Sequence, residues 1–402
     1  MYNSIVNPNL DRLQPYPFQK LNNLYHGVTP NADLAPIYLH IGEPKHPTPE
    51  FIRARLAASL EGLARYPATL GAESLRHAIA GWLQARHRLR RIDPAREIIP
   101  VNGSREALFG FAQAVIDASR PDPVVVAPNP FYQIYEGAAL LAGARPEFIN
   151  TLAESGFAFD PEQLPADTWR KVQLVYVCTP GNPTGAVMTL AQWRALFDLS
   201  DRHGFIIASD ECYSEIYFDE DDPPLGGLQA AQRLGRDGFP RLVVFSSLSK
   251  RSNVPGMRSG FVAGDAAILN PYLLYRTYQG GAMSPPILEA SVAAWRDEAH
   301  VRENRRLYRE KFDAVLDVLG PSLGVTRPQA AFYLWPRTPL ADAAFAQRLF
   351  REYNVTVLPG SFLGRDARGV NPGAGYARIA LVAPLAECVE AAQRIKAFIA
   401  KL

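Results

Sequence analysis

The stretch Leu242-Val243-Val244-Phe245-Ser246-Ser247-Leu248-Ser249-Lys250 runs from an apolar strand straight into two hydroxyls and an amine. A strand with no polar alternation is buried on both faces, which is the condition of a mostly parallel sheet covered by helices. Segments 124–127, 174–179, 205–209 and 260–263 read the same way, with amphipathic helical patterns between them. The chain is therefore expected to be an α/β protein with a large, mostly parallel central sheet. Ligands of such sheets bind beyond the carboxyl ends of the strands. That is where Asn182, Asp210 and Lys250 fall, each just past a different apolar run.

Composition narrows the function classes. The chain has 402 residues, 48% of them apolar, which is enough for two domains around sizeable cores. Lysine and arginine number 42 and aspartate and glutamate 40, leaving a net charge of +2 with no long run of one sign. A nucleic-acid role gains nothing from that balance. The cluster Arg86, Arg88, Arg90 and Arg91 reads as a solvated helix end. Cys178, Cys212 and Cys388 are widely separated and lack Cys-x-x-Cys spacing, as suits a reduced, cytoplasmic setting. The N-terminus has no basic region followed by an apolar stretch, and no segment reaches membrane-spanning length, so a soluble, non-exported protein without membrane contact is expected. The histidines form no His-Glu-x-x-His pattern, and no metal is implied.

The expected organisation has three parts. Residues 1–48 form an extended arm, suited to reach a partner subunit, together with part of a small domain. Residues 49–285 form the large domain, and residues 286–402 a smaller α+β domain that opens with one long helical stretch, 286–319.

Several residues carry possible chemistry. Asn102-Gly103-Ser104-Arg105 follows a strand and opens a helix, so free backbone N–H groups and the Ser104 hydroxyl could hold an anion; a plain N-cap at Ser104 is the other reading. No Gly-x-Gly-x-x-Gly or Gly-Lys-Ser/Thr loop accompanies it. Ser247, Ser249 and Arg258 surround Lys250 with phosphate-holding groups, and Lys250 could form a Schiff base. Asp210 ends an apolar strand, so its carboxylate must be paired, either with a protonated pyridine nitrogen or in a structural ion pair. Tyr213 and the rigidly presented Asn182 of Pro180-Gly181-Asn182-Pro183 could bond a phenolate oxygen. Tyr132, at a strand-to-helix junction, could stack on a heteroaromatic ring or belong to the core.

Together these stretches resemble the class I/II aminotransferases, the fold-type I pyridoxal-phosphate enzymes, over about residues 41–382. The resemblance rests on the order Asn182, Asp210, Tyr213, Lys250, Arg258, Arg378. It implies pyridoxal 5'-phosphate as cofactor, with Lys250 its covalent attachment and acid/base, Asp210 the pyridine-nitrogen partner, and Asn182 with Tyr213 on the ring oxygen. Ser104, Arg105, Ser247, Ser249 and Arg258 would hold the phosphate, and Tyr132 would stack on the ring. Tyr66 resembles the tyrosine that crosses to the phosphate of the neighbouring subunit, which implies a homodimer with shared sites. Arg378 resembles the arginine that clamps the substrate α-carboxylate, and Gly42 the glycine beside it. Ala330 and Ala331 depart from a glycine often found there.

Residues 41–49, 128–142, 249–261 and 275–286 are similar to the N-succinyldiaminopimelate aminotransferase branch. That likeness implies N-succinyl-L,L-2,6-diaminopimelate and 2-oxoglutarate/glutamate as substrates in lysine biosynthesis. Lys45 and Arg276 are candidate cations for distal carboxylates. An aminotransferase for aspartate, aromatic or acetylornithine-type substrates, or a pyridoxal-phosphate lyase on the same fold, would carry the same lysine and aspartate.

Overall fold

A computed structural model describes residues 6–402; residues 1–5 of the expected arm lie outside the described residues. Its strands in chain order are β1 (Ile37–Tyr38), β2 (Ile98–Val101), β3 (Val124–Asn129), β4 (Arg145–Asn150), β5 (Val172–Cys178), β6 (Ile206–Asp210), β7 (Leu242–Ser247), β8 (Gly260–Gly264), β9 (Tyr333–Leu334), β10 (Val355–Thr356), β11 (Leu358–Pro359) and β12 (Ala377–Ala380). Seven of them form the central sheet in the order β2-β8-β7-β6-β5-β3-β4. Only β8 runs against its neighbours; the other pairings are parallel. The expected α/β architecture is what the chain adopts.

The topology decides where the chemistry collects. Because β8 is reversed between β2 and β7, the carboxyl ends of β2, β3, β5, β6 and β7 share one edge, and the amino end of β8 joins them. A candidate sits at or just past the end of each of these strands: Ser104, Tyr132, Asn182, Asp210 and Lys250, with Arg258 just ahead of β8. Two apolar layers hold the sheet from opposite faces. One includes Ile79, Leu83, Val175, Ile207 and Val244; the other includes Phe111, Tyr135, Leu174, Ala208 and Phe245. Alternate residues of β6 and β7 enter different layers, as the twofold period of a strand requires.

A second core gathers Ile37, Leu39, Phe312, Leu319, Leu349, Ile379 and Phe398 around the small sheets β1-β10 and β11-β12-β9. The helix Ala299–Leu323 contributes Phe312, Val315 and Leu319 to it, whereas Leu288 and Trp295 of the preceding helix, Pro285–Arg296, pack into the core of the central sheet.

Four expectations need correction. The arm is not merely extended: Pro17–Tyr25 is helical, with proline preset at the first turn. Its Leu21 packs with Trp335, Leu358 and Tyr376. The stretch 286–319 is two helices, broken at Asp297 and Glu298. Arg86 is not a solvated helix end, because its side chain is buried and its Nε donates to Glu215 Oε1 at 2.9 Å. Arg276 is fully buried and forks onto the Glu106 carboxylate at 3.0 and 2.9 Å, so it offers no free cation to a substrate.

Candidate active site

Local structure presents each group. Gly103, with φ of 85°, turns the chain out of β2 so that the helix Ser104–Val115 starts at the sheet edge. Only glycine suits this spot on two counts: its left-handed conformation, and the Arg258 guanidinium lying where a Cβ would sit. At the end of β7, the Ser247 hydroxyl caps the short helix Leu248–Arg251 by accepting from the Ser249 N–H at 3.1 Å. It also donates to the Ser249 hydroxyl at 2.8 Å. Lys250 follows within that first turn, so the site sets an amine next to two hydroxyls.

These groups line one cavity of about 460 Å³ between the two cores. It holds Gly42, Ser104, Arg105, Tyr132, Asn182, Asp210, Tyr213, Ser247, Ser249, Lys250, Arg258 and Arg378. Of the candidates from sequence, Tyr66, Lys45 and Arg276 do not line it. Tyr66 is fully exposed, and the large apolar side chains Leu60, Leu63, Leu274 and Tyr278 are exposed as well.

Asp210 is buried at the cavity floor. Its Oδ2 accepts from the Tyr135 hydroxyl at 2.7 Å, and its Oδ1 from the Cys212 N–H at 3.2 Å. Both donors are neutral, and burial raises the carboxyl above its ordinary range despite them. A buried carboxylate held this way is under-compensated, and a cationic ring N–H would complete it. Lys250 Nζ donates to the Gly42 carbonyl at 2.7 Å. Burial above all, with Arg105 and Arg258 acting against the pull of Cys212 and Glu43, brings its amine down to about 8.

The opposite wall is a cation. Arg378, on β12, is buried; its terminal nitrogens donate to Asn182 Oδ1 at 3.0 Å and the His40 carbonyl at 2.8 Å, and its Nε has no partner. Tyr333 stacks under the guanidinium at 4.6 Å, and its hydroxyl shares a 2.8 Å hydrogen bond with that of Tyr213. Gly42 is tight here, since a Cβ would overlap the Tyr333 hydroxyl and Phe332.

The donor set fits pyridoxal phosphate: hydroxyls and Arg258 for an anion, a buried carboxylate wanting a cation, an amide and a phenol near an amine of lowered pKa, and an aromatic face at Tyr132. Among the described residues no cluster of side chains could hold a metal ion, and no helix is long and apolar enough to cross a membrane.

Sequence reading missed five contributors. Tyr135 and Tyr333 look like core aromatics until their hydroxyls are seen to touch Asp210 and Tyr213. The Cys212 thiol donates to the Ser104 hydroxyl at 2.9 Å. Tyr16 and Phe18 bring the arm to the cavity rim.

Comparison with known proteins agrees with this geometry. The family model for aminotransferase class I and II matches residues 36–395. The chain belongs to that family. Its members use pyridoxal phosphate and act on amino acids and oxo acids, and this aminotransferase shares their fold. An aminotransferase from Neisseria meningitidis superposes with a TM-score of 0.95 at 52% identity, covering 98% of this chain and 100% of the other. The LL-diaminopimelate aminotransferase of Nitratidesulfovibrio vulgaris is 33% identical over 96% of this chain and 97% of its own length. A probable N-succinyldiaminopimelate aminotransferase from Thermus thermophilus has a TM-score of 0.83 at 27% identity, covering 95% of this chain and 99% of the other.

Proposed function

We propose that this aminotransferase exchanges an amino group between N-succinyl-L,L-2,6-diaminopimelate and 2-oxoglutarate, with Lys250 as the reacting amine. The single observation behind an α-amino acid substrate is Arg378. It is a buried guanidinium with an unpartnered Nε, and it faces the cavity that also holds Lys250 Nζ. A carboxylate there gains a bidentate, charge-assisted contact, and Arg378 already has its orientation fixed by Asn182 and His40.

In this reading Ser104, Arg105, Ser247, Ser249 and Arg258 hold the phosphate, Asp210 faces the ring nitrogen, Asn182 and Tyr213 bond the ring oxygen, and Tyr132 covers the ring. Bound pyridoxal phosphate supplies an electrophilic carbon and a ring that accepts electrons. The chain's own residues do the rest. An amine with a pKa of about 8 is partly free base near neutrality, so Lys250 would be able to take up and give back the substrate Cα proton. Arg378 holds the carboxylate so that this proton faces Lys250, and Tyr333 fixes the Tyr213 hydroxyl. The exposure of Tyr66 suits a second copy of the chain, with Tyr66 reaching the partner's phosphate group in a homodimer.

The names of the relatives support the diaminopimelate skeleton, and the Thermus thermophilus structure supports its succinylated form. Lys45, exposed near the rim, remains the candidate for a distal carboxylate. A second reading is free LL-diaminopimelate. It is favoured by the curated relatives of that name and by Glu43, whose carboxylate lines the cavity and would attract a distal ammonium.

A half-reaction screen tests both. The cofactor-loaded enzyme is mixed with each amino donor, and conversion to the amine form of the cofactor is followed by absorbance. The succinylated donor should react fastest. LL-diaminopimelate ahead of it would replace the first reading with the second, and aspartate or phenylalanine ahead of both would remove the diaminopimelate assignment.

A further inference from the structure

We propose that Asn304 is a positioning residue that sets Lys250 and the Gly42 loop in a fixed relation to one another. The proposal rests on Lys250 being the reacting amine, as argued above. Asn304 does not line the cavity. It is buried on the helix Ala299–Leu323, and both the nitrogen and the oxygen of its amide are engaged. Its Nδ2 donates to the Lys250 carbonyl at 3.2 Å. Its Oδ1 accepts from Asn253 Nδ2 at 3.0 Å and lies 2.7 Å from His46 Nδ1.

With Nδ2 already donating to a carbonyl, Oδ1 is the acceptor, so His46 carries its proton on Nδ1. Burial with Lys311 nearby keeps this imidazole neutral, its pKa lowered to about 4 against the opposing influence of the Asn304 bond and Glu303. His46 is four residues beyond Gly42, the residue whose carbonyl accepts from Lys250 Nζ at 2.7 Å. The contacts close a circuit. One amide holds the lysine's main chain and, through His46, the loop that receives the lysine's amine.

Aromatic rings complete it. His46 packs on Tyr308 at 4.6 Å, Tyr308 on Phe332 at 5.6 Å, and Lys250 Nζ lies 5.9 Å from the Phe332 ring centre. An amine that must serve two reacting positions gains from this, since an error of about 1 Å in placement costs about 10²-fold in rate. Aspartate at position 304 would keep the acceptor and lose the donor to Lys250, and alanine would lose both.

The experiment compares cofactor-loaded dimers or monomers, as purified, of Asn304→Asp, Asn304→Ala, His46→Ala and His46→Asn. Asp317→Ala serves as control, because it is exposed on the same helix and has no side-chain partner among the described residues. The readouts are kcat, KM for the amino donor, Tm, and the pH midpoint of the absorbance of the lysine-bound cofactor. Both Asn304 variants should lose roughly 10- to 100-fold in kcat with KM within about twofold, and should shift the midpoint. His46→Asn, whose amide can donate from nearly the same place, should recover most of what His46→Ala loses. Unchanged kcat and midpoint, or a loss confined to Tm, would overturn the proposal. If neither Asn304 variant folds, the His46 pair carries the same readouts. Borohydride reduction and peptide mapping report separately on the lysine: an adduct away from position 250 removes the functional reading, whereas an adduct at Lys250 with unaffected Asn304 and His46 variants removes only this one.

Discussion

The Tyr135 hydroxyl donates to Asp210 Oδ2 at 2.7 Å, deep beneath the cavity and out of reach of solvent. It turns a carboxylate that would otherwise be held only by a backbone N–H into a two-donor acceptor with a fixed orientation. Removing the charge and removing its holder should therefore have unequal effects. Asp210→Asn should lower kcat by roughly 10²–10³-fold, the scale for one preorganised electrostatic group. Tyr135→Phe should cost about 1–3 kcal/mol in stability or rate, the scale for a buried acceptor stripped of a donor. Steady-state kinetics with cofactor saturation rank the two, and equal losses would contradict this division.

Lys250→Ala should bind pyridoxal phosphate without a covalent link and lose turnover by about 10²–10⁴-fold or more. Reduction with borohydride followed by mass spectrometry should find the cofactor on Lys250 in the parent and on no lysine in the variant. Near-normal turnover would remove Lys250 from the mechanism.

The lowered amine has a pH signature. With the Lys250 pKa at about 8 in the folded chain, below its ordinary 10.5, the free-base fraction rises through pH 8. Capture of the cofactor aldehyde by the cofactor-free protein should accelerate with that midpoint. The linkage sign is also set. Between the two values the unfolded chain binds more protons at this residue, so its penalty on the cofactor-free fold is full below pH 8 and fades as pH rises towards 10.5. A capture profile centred near 10.5 would contradict the burial argument.

Arg378→Lys keeps a charge and loses the fork. Because Asn182 and His40 orient a planar guanidinium, the shorter, point-charged ammonium should reduce kcat/KM for the amino donor by about 10–10³-fold. Equal reduction for amines lacking a carboxylate would show that the side chain is not a carboxylate clamp.

Tyr66 offers a mixing test. If it serves the neighbouring subunit, Tyr66→Ala and Lys250→Ala chains should each be impaired alone. Refolded together in equal amounts, they should recover roughly a quarter of the parent activity, because half the dimers then hold one complete site. No recovery would place Tyr66 outside the site.

Legibility followed burial on both sides of the ledger. The inner strands were readable because a strand covered on both faces has no polar alternation, as in Leu242–Ser247. The edge strand Arg145–Asn150 was not, since half-exposed Arg145 and Glu147 and a proline break that pattern. Lys250, Asp210 and Asn182 stood out because charged and amide groups at strand ends demand a partner. Tyr135 and Tyr333 did not, because a buried ring looks like packing until its hydroxyl is traced. Arg86 and Arg276 mislead in the opposite direction: one reads as a solvated helix end and the other as a cation free for substrate, and each is sunk against a glutamate that is remote in sequence. The short arm helix Pro17–Tyr25 hid because its apolar side covers only part of two turns and meets its partners, Trp335 and Tyr376, more than 300 positions later.

Ala331 sits at φ of 67°, wholly buried, with its N–H committed to the Ile216 carbonyl at 2.8 Å. A side chain in that left-handed region gives up backbone freedom that glycine would keep, so the approach to Phe332 and Tyr333 is fixed by the chain itself as well as by packing.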